Sequence, residues 1–409
     1  MNGIHSRMIL RYFGWVWFIF YPPLSLLAQE SLSIYATILD TDSKEPVAFA
    51  HIGIANTPLG TVSNSEGEFA MKIDRQYLEK QLLVSSVGYV TRSMTLDSLV
   101  NGTTIIWLER AIVELDPVVI TTLSAKDIVR KAVEQIEQNY PDRTFTTAGF
   151  YRTASNENGK FARLLEAGVK VNDEGFHNKN RNIHYLAIRK SEDFRQFKME
   201  EANLIEEALQ FDHVKQRKGF LNPENLDFWQ YAIVGYTQLN HDHVFQIEAR
   251  YITTKQNVEH TARIYITDDT YAIVQVEYDY NWHKKHYRQI DSLEVADIRW
   301  KGTFHYARFG KQYYLNHFTF QNNQEVLDRA EKMLLGTLEV YNEFIVQSVD
   351  MFPLENEMTA NTQRKDLYAM ATNDTLFWEE FNVPVDTDFY QHILQDLDSL
   401  LMKNQVDNQ

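Results

Sequence analysis

One stretch decides the fold of most of this chain: His243-Val244-Phe245-Gln246-Ile247-Glu248-Ala249-Arg250-Tyr251. Apolar residues stand at every second position from Phe245 to Tyr251, and polar residues stand between them. This period of two predicts a β-strand with one apolar face. The same pattern recurs across residues 145–346 and predicts about ten antiparallel strands. A sheet of that size should curl into a half-open barrel, because one flat apolar face would stay in contact with water.

Helical patterns accompany the predicted sheet. Ser124 is a favourable N-cap with Asp127 three residues later, and Pro141 should end this helix near Asn139. Residues 386–403 carry apolar side chains at helical spacing, which predicts a C-terminal helix that packs on the sheet or caps its open side. A shorter helix is predicted over residues 202–211, within an insertion between strands.

Residues 30–115 show short alternating segments between turn signals and no helical pattern. They predict a small antiparallel β-sandwich. Four of its segments resemble the carboxypeptidase-regulatory-like domain that is common in envelope proteins of Bacteroidetes-type bacteria; they are residues 36–40, 45–50, 60–69 and 87–89. The resemblance implies an accessory β-sandwich without catalytic residues. The carboxylates of Asp40 and Asp42 leave two hypotheses open, a calcium ligand pair or a plain polar turn.

A second resemblance concerns the predicted sheet. Residues 229–235, 243–251, 261–267 and 271–280 are similar in strand order to the lipoprotein-carrier (LolA-like) fold. That fold implies a curved sheet closed by helices around an apolar cavity. The combination of both modules also resembles uncharacterised Bacteroidetes proteins, a likeness that implies no activity.

The N-terminus resembles a secretory signal. Arg7 and Arg11 precede an apolar run over residues 12–20, and Ala28 stands before the polar Gln29. This order predicts export and cleavage between Ala28 and Gln29; an uncleaved anchor is the alternative. No later segment has the ~20 apolar residues that a membrane span needs, so no transmembrane span is expected after signal removal.

Composition excludes several classes of protein. The 409 residues carry a formal charge of −16, which opposes binding to the phosphates of nucleic acid. The chain has no cysteine, so thiol catalysis, disulfides and thiolate metal sites are excluded.

The patterns along the chain together predict a mainly β protein with five segments. They are signal peptide 1–28, β-sandwich 29–115, linker 116–123, helix and curved antiparallel domain 124–350, and surface loop with C-terminal helix 351–409.

Catalytic motifs are missing from the sequence. It has no His-x-x-Glu or His-Glu-x-x-His for zinc, no Gly-x-Ser-x-Gly nucleophile turn, and no phosphate-binding glycine loop. We therefore predict no catalytic residue, no cofactor and no metal site. The alternative metal ligands are four histidines near strand ends: His241, His243, His283 and His286.

Aromatic and aliphatic side chains on the predicted sheet are the candidate binding residues. A curved sheet can hold an acyl chain or a glycan without any reactive group, since covering apolar surface contributes about 25 cal/mol per Å². The candidates are Trp229, Tyr231, Phe245, Ile247 and Tyr265. The sequence thus predicts a non-enzymatic envelope protein of the periplasm or outer membrane that binds an apolar ligand or a partner protein. A hydrolase acting on peptide or glycan and a structural adaptor of an outer-membrane complex are the alternatives.

Overall fold

The computed structural model describes residues 31–100, 103–111, 123–198, 204–252, 258–352 and 374–407. It confirms a mainly β fold with an N-terminal sheet module and a large, curved, unclosed antiparallel sheet. The predicted cleavage site at Ala28 and Gln29 lies outside the described residues, and so do residues 116–122 of the predicted linker over residues 116–123. None of the described helices has both the length and the apolar composition required to cross a membrane.

Seven strands form the N-terminal module in two sheets, ordered β4-β1-β7 and β3-β2-β5-β6. Buried Ile38, Ile52 and Leu82 contribute to the core between them. The β1–β7 pair is parallel, which differs from the purely antiparallel prediction. The long connection through the second sheet allows this, since parallel neighbours need a crossover. The strands are β1 (Ser31–Asp40), β2 (His51–Ile54), β3 (Gly60–Val62), β4 (Glu68–Asp74), β5 (Gln81–Ser85), β6 (Arg92–Thr95) and β7 (Thr103–Leu108).

The Asp40 turn is a polar turn closed by protein groups. The Asp40 carboxylate accepts hydrogen bonds from the backbone N–H of Asp42 at 2.8 Å and of Ser43 at 2.9 Å. Its second oxygen accepts a hydrogen bond from the Tyr89 hydroxyl at 3.0 Å. These bonds, above all that from Ser43, hold the pKa of Asp40 below its ordinary value. The geometry supports the polar-turn hypothesis.

Helices α1 (Ala125–Glu134) and α2 (Ile136–Asn139) follow the module, and their bounds confirm the predicted helix. Ser124 and Asp127 form a capping box, in which each side chain bonds the backbone of the other residue. Tyr140 after them is extended, as expected before Pro141.

Removal of this cap should have a measurable cost. We expect Ser124→Ala to lower the free energy of unfolding by about 1 kcal/mol, because the backbone N–H of Asp127 loses its acceptor and the Asp127 carboxylate loses the serine hydroxyl. Urea unfolding followed by circular dichroism measures the change. Ser399→Ala is the matched control, since Ser399 is an exposed helical serine that bonds only the carbonyl of Gln395. Equal effects of the two substitutions would contradict the assignment.

Eleven strands form the large sheet, whose path is β10-β9-β8-β18-β17-β16-β14-β13-β12-β11, with β15 paired to β16. All ten predicted strands are present, most of them longer than predicted, and β15 is additional. The strands are β8 (Phe145–Glu157), β9 (Lys160–Asp173), β10 (Arg181–Lys190), β11 (Trp229–Leu239), β12 (Asp242–Tyr251), β13 (Val258–Thr267), β14 (Ile273–Trp282), β15 (Arg288–Ile290), β16 (Leu293–Phe309), β17 (Gln312–Asp328) and β18 (Leu334–Asp350).

The sheet has two differently covered faces. We call the face that carries Phe304, Phe318 and Phe344 the inner face; it packs against α1, α2 and the short helices α3 (Leu204–Leu209) and α4 (His213–Gln216). The opposite, outer face packs against the N-terminal module and the C-terminal helices α5 (Thr375–Glu380) and α6 (Asp388–Asp407). Helix α6 thus packs on the sheet, which is one of the two arrangements predicted for the C-terminal helix.

The N-terminal module is joined to the outer face by backbone and ring contacts. Val349 of β18 donates to the Pro58 carbonyl at 3.0 Å, and Gly88 donates to the Gln238 carbonyl at 2.9 Å. Phe49 stacks on the buried His317 ring with centroids 4.7 Å apart. These contacts attach the module to strands β11, β17 and β18.

Candidate functional site

A cavity of about 530 Å³ opens on the inner face, between α3 and strands β16 to β18. We call it the inner cavity. Its volume lies within the range of small-molecule sites, ~300–1,000 Å³. The wall combines aromatic, aliphatic and planar polar side chains; among them are Phe211, Trp300, Phe320, Leu338, Val340, Asn322, Gln324, Asn342, Arg195, Arg288 and Asp297.

Three aromatic rings form one wall of the inner cavity. Phe211, just after α3, stacks on Phe320 of β17 with centroids 4.1 Å apart and planes 16° apart. The Phe211 ring also contacts the Trp300 ring of β16 edge to face, with centroids 4.7 Å apart. The packed rings give the cavity a rigid apolar surface.

Ion pairs and an amide form the polar wall. Arg288 bonds Asp297 at 3.0 Å, and the Gln324 amide donates to the other Asp297 oxygen at 2.8 Å. Arg195 bonds Asp193 at 2.7 Å. These pairs hold donors and acceptors in place around the aromatic wall, so the cavity can recognise hydrogen-bonding groups.

The loop that carries Arg195 is held by one buried carboxylate. Glu157, at the end of β8, accepts backbone N–H groups from Gln196 at 2.7 Å and from Phe197 at 2.9 Å. Two such charge-assisted bonds order the loop beside the cavity.

A buried charge network positions the segment that carries Phe211. Asp212 is fully buried and accepts hydrogen bonds from Arg181 at 2.7 Å, from the backbone of Lys215 at 3.1 Å and from the Tyr306 hydroxyl. Arg181 also bonds Asp173 at 2.9 Å, and Lys215 bonds the same carboxylate. Burial lowers the pKa of Lys215 to about 8. The network contains two acids and two bases, so its charges are matched.

A second cavity of about 630 Å³ lies between the N-terminal module and the outer face; we call it the intermodule cavity. Its wall includes the histidines His51 and His305 and the buried Asn316. Burial lowers the pKa of His51 to about 4 and that of His305 to about 3, so both rings are neutral at pH 7. Within the described part of the chain, no three His, Cys, Asp or Glu side chains converge as metal ligands would.

The predicted binding residues occupy the packed part of the sheet. Trp229, Phe245 and Ile247 are buried in the inner-face core, and the Tyr231 hydroxyl donates to the Phe220 carbonyl at 2.7 Å. Tyr265 points to the outer face, where its hydroxyl bonds Glu277 at 3.2 Å. None of the five lines the inner or the intermodule cavity. Their role in ligand binding stays a prediction.

The four alternative metal ligands lie at two opposite ends of the sheet. His243 is beside Asp268 at 3.5 Å, next to the turn that begins β14. His283 and His286 follow Trp282, the last residue of β14. A ten-residue strand spans about 34 Å, so the two pairs cannot share one ion.

Sequence reasoning missed the residues of the inner cavity. A signal was present on β17, where the inner face carries Phe318 and Phe320 and then changes to Asn322 and Gln324. This polar pair interrupts an otherwise apolar face, which continues beyond it with the buried Val326. The position of Phe211 opposite it depends on the tertiary fold.

Comparison with known proteins supports one part of this architecture. Residues 34–120 match the family model of the CarboxypepD_reg-like domain, a regulatory rather than catalytic module. No curated protein gives a significant match. The crystal structure of a DUF1329 family protein from Desulfovibrio piger is 9% identical, covers 60% of this chain and 100% of that chain, and has a TM-score of 0.24. The N-terminal module is therefore similar to regulatory β domains.

Proposed function

We propose that this chain is a non-enzymatic binding protein of the cell envelope, exported to the periplasm or held at the outer membrane. Its curved sheet, similar to the LolA-like fold, would hold a ligand in the inner cavity. The carboxypeptidase-regulatory-like module would serve as a scaffold on the outer face. The observation that carries this proposal is the inner cavity itself, which joins a rigid aromatic wall to fixed polar groups.

Simple energetics support ligand binding without catalysis. Each 100 Å² of apolar surface that a ligand covers contributes about 2.5 kcal/mol. Phe211 and Phe320 are already packed together, so little side-chain freedom is lost when a ligand contacts them. Binding therefore needs no reactive side chain.

A structural adaptor is the second candidate function. The observation that favours it is the docking of the N-terminal module, which uses strand β18 and the stacked pair Phe49 and His317. Such a joined pair of modules presents one continuous surface, and the formal charge of −16 suits a basic partner protein.

The test of ligand binding uses a cavity-filling variant of the full chain. Val340→Trp places an indole in the inner cavity, and Val234→Trp adds the same indole on the exposed edge strand β11. We expect native mass spectrometry to find a copurified small molecule in the wild type and in Val234→Trp, and to find it lost in Val340→Trp.

Two results would refute the binding proposal. The first is that no molecule copurifies with the wild-type chain and that fatty acids, oligosaccharides and peptides leave its melting temperature unchanged. The other is equal retention of the molecule by both tryptophan variants. Crosslinking in envelopes then tests the adaptor function, with capture of a basic partner as its expected result.

A further inference from the structure

We infer that the ligand of the inner cavity is a hydroxyl-rich molecule, an oligosaccharide, rather than an acyl chain. This inference rests on the proposed binding function and names the class of ligand. It starts from a change of chemistry along two neighbouring strands. On β17 the inner face passes from Phe320 to Asn322 and Gln324, and on β18 it passes from Phe344 to Asn342.

An acyl chain does not fit this wall. Methylene groups laid on Asn322 would leave its Oδ1 without a hydrogen-bond partner, at a cost of about 1–3 kcal/mol. Sugar hydroxyls both donate and accept hydrogen bonds, as carboxamides do, and so they can bond the polar side chains of this wall.

Two polar atoms beside the cavity lack a hydrogen-bond partner among the described residues. They are the indole Nε1 of Trp300, a donor, and the Oδ1 of Asn322, an acceptor. The two residues are direct cross-strand neighbours on β16 and β17, and both line the inner cavity. Both atoms are buried, so a ligand hydroxyl would accept from the indole and donate to the amide oxygen once these two side chains turn toward the cavity.

The aromatic wall completes the match. A pyranose ring has an apolar face of C–H groups and a rim of hydroxyls. Trp300 and Phe211 offer an apolar surface, and the Arg288–Asp297 pair offers charged donors and acceptors at its edge. The cavity therefore has the two kinds of contact that one sugar ring needs, in adjacent positions.

A peptide ligand is disfavoured by the backbone of the wall. Extended peptides gain most of their affinity by adding a strand to a free sheet edge. At the cavity, β17 is paired on both sides, with β16 through Asn322 and Trp300 and with β18 through Asn322 and Val340. Recognition there must come from side chains, which favours a ligand read through its hydroxyls.

The experiment titrates the full chain with cellobiose, N,N′-diacetylchitobiose, maltotriose and trigalacturonate, and in parallel with palmitate and trialanine. Calorimetry gives Kd, and tryptophan fluorescence of the wild type compared with Trp300→Phe isolates the contribution of Trp300 among the seven tryptophans. We expect at least one sugar to bind, and Asn322→Leu to raise its Kd at least tenfold. Asn323→Leu, on the neighbouring outward position, should leave Kd within twofold. Circular dichroism verifies that both variants fold.

The outcomes separate this inference from the proposed function. If palmitate or trialanine binds, Val340→Trp abolishes that binding and no sugar binds, the sugar inference is overturned while the binding function stands. If a sugar binds but Asn322→Leu and Asn323→Leu weaken it equally, the assigned site is overturned. If no probe binds and nothing copurifies with the chain, both proposals fall together.

Discussion

Replacing Asp212 by alanine should lower the free energy of unfolding by about 3–5 kcal/mol. The substitution removes one acid from a matched network and leaves the guanidinium of Arg181 buried with a single carboxylate, that of Asp173. The Tyr306 hydroxyl and the backbone N–H of Lys215 lose their acceptor as well. Urea unfolding followed by tryptophan fluorescence measures the loss.

An exposed ion pair supplies the control for this prediction. Glu248→Ala removes the partner of Arg250, whose side chain is 61% exposed, and should change the free energy of unfolding by less than about 1 kcal/mol. The two losses differ because water can solvate the exposed Arg250 after its partner is removed. Water cannot reach the buried groups that Asp212 bonds. Similar losses in both variants would show that the buried network does not stabilise the fold.

Acid should destabilise the protein strongly between pH 6.5 and pH 4. Burial lowers the pKa of four histidines, to about 4 for His51, His213 and His260 and to about 3 for His305. The unfolded chain binds protons on these rings below pH 6.5, whereas the folded chain keeps them neutral. Stability that is complete above pH 6.5 is therefore lost as the pH falls. We expect a loss of at least about 3 kcal/mol between pH 7 and pH 4.5.

Urea unfolding at pH 7.0, 5.5 and 4.5 measures this loss, and one histidine can be tested alone. His305→Gln keeps a neutral polar side chain in the intermodule cavity and should reduce the loss by about 1–2 kcal/mol. The exposed His283 provides the matched control, and His283→Gln should leave the loss unchanged. A stability that is flat from pH 7 to pH 4.5 would contradict the buried, neutral state of these rings.

The two cavities lie on opposite faces of the large sheet. The intermodule cavity contains neutral histidines, and it lies beside the contacts that Phe49 and Val349 make between the module and the sheet. The inner cavity contains ion pairs and an aromatic wall, and it lies on the face away from the module. A ligand in the inner cavity thus leaves the N-terminal module free of direct contact with it.

The sequence by itself determined the local structure of this protein. The period of two over residues 243–251 predicted β12, and the same pattern located the other long strands. Ser124 and Pro141 predicted the limits of the helix, since a cap and a proline act on their own neighbours. The curved, unclosed sheet followed as well, because about ten strands with one apolar face have few ways to bury it.

Only the tertiary structure decided where the proposed binding site lies. Periodicity reports that a face is apolar, but long-range packing decides which part of it the chain covers itself. Trp229 and Ile247 are packed against residues of the chain, whereas Trp300 is left beside a cavity. Phe211 reaches Phe320 across more than a hundred residues, and the histidine pairs are separated by the length of β14. Such contacts depend on strand order and register, which a local pattern of side chains does not contain.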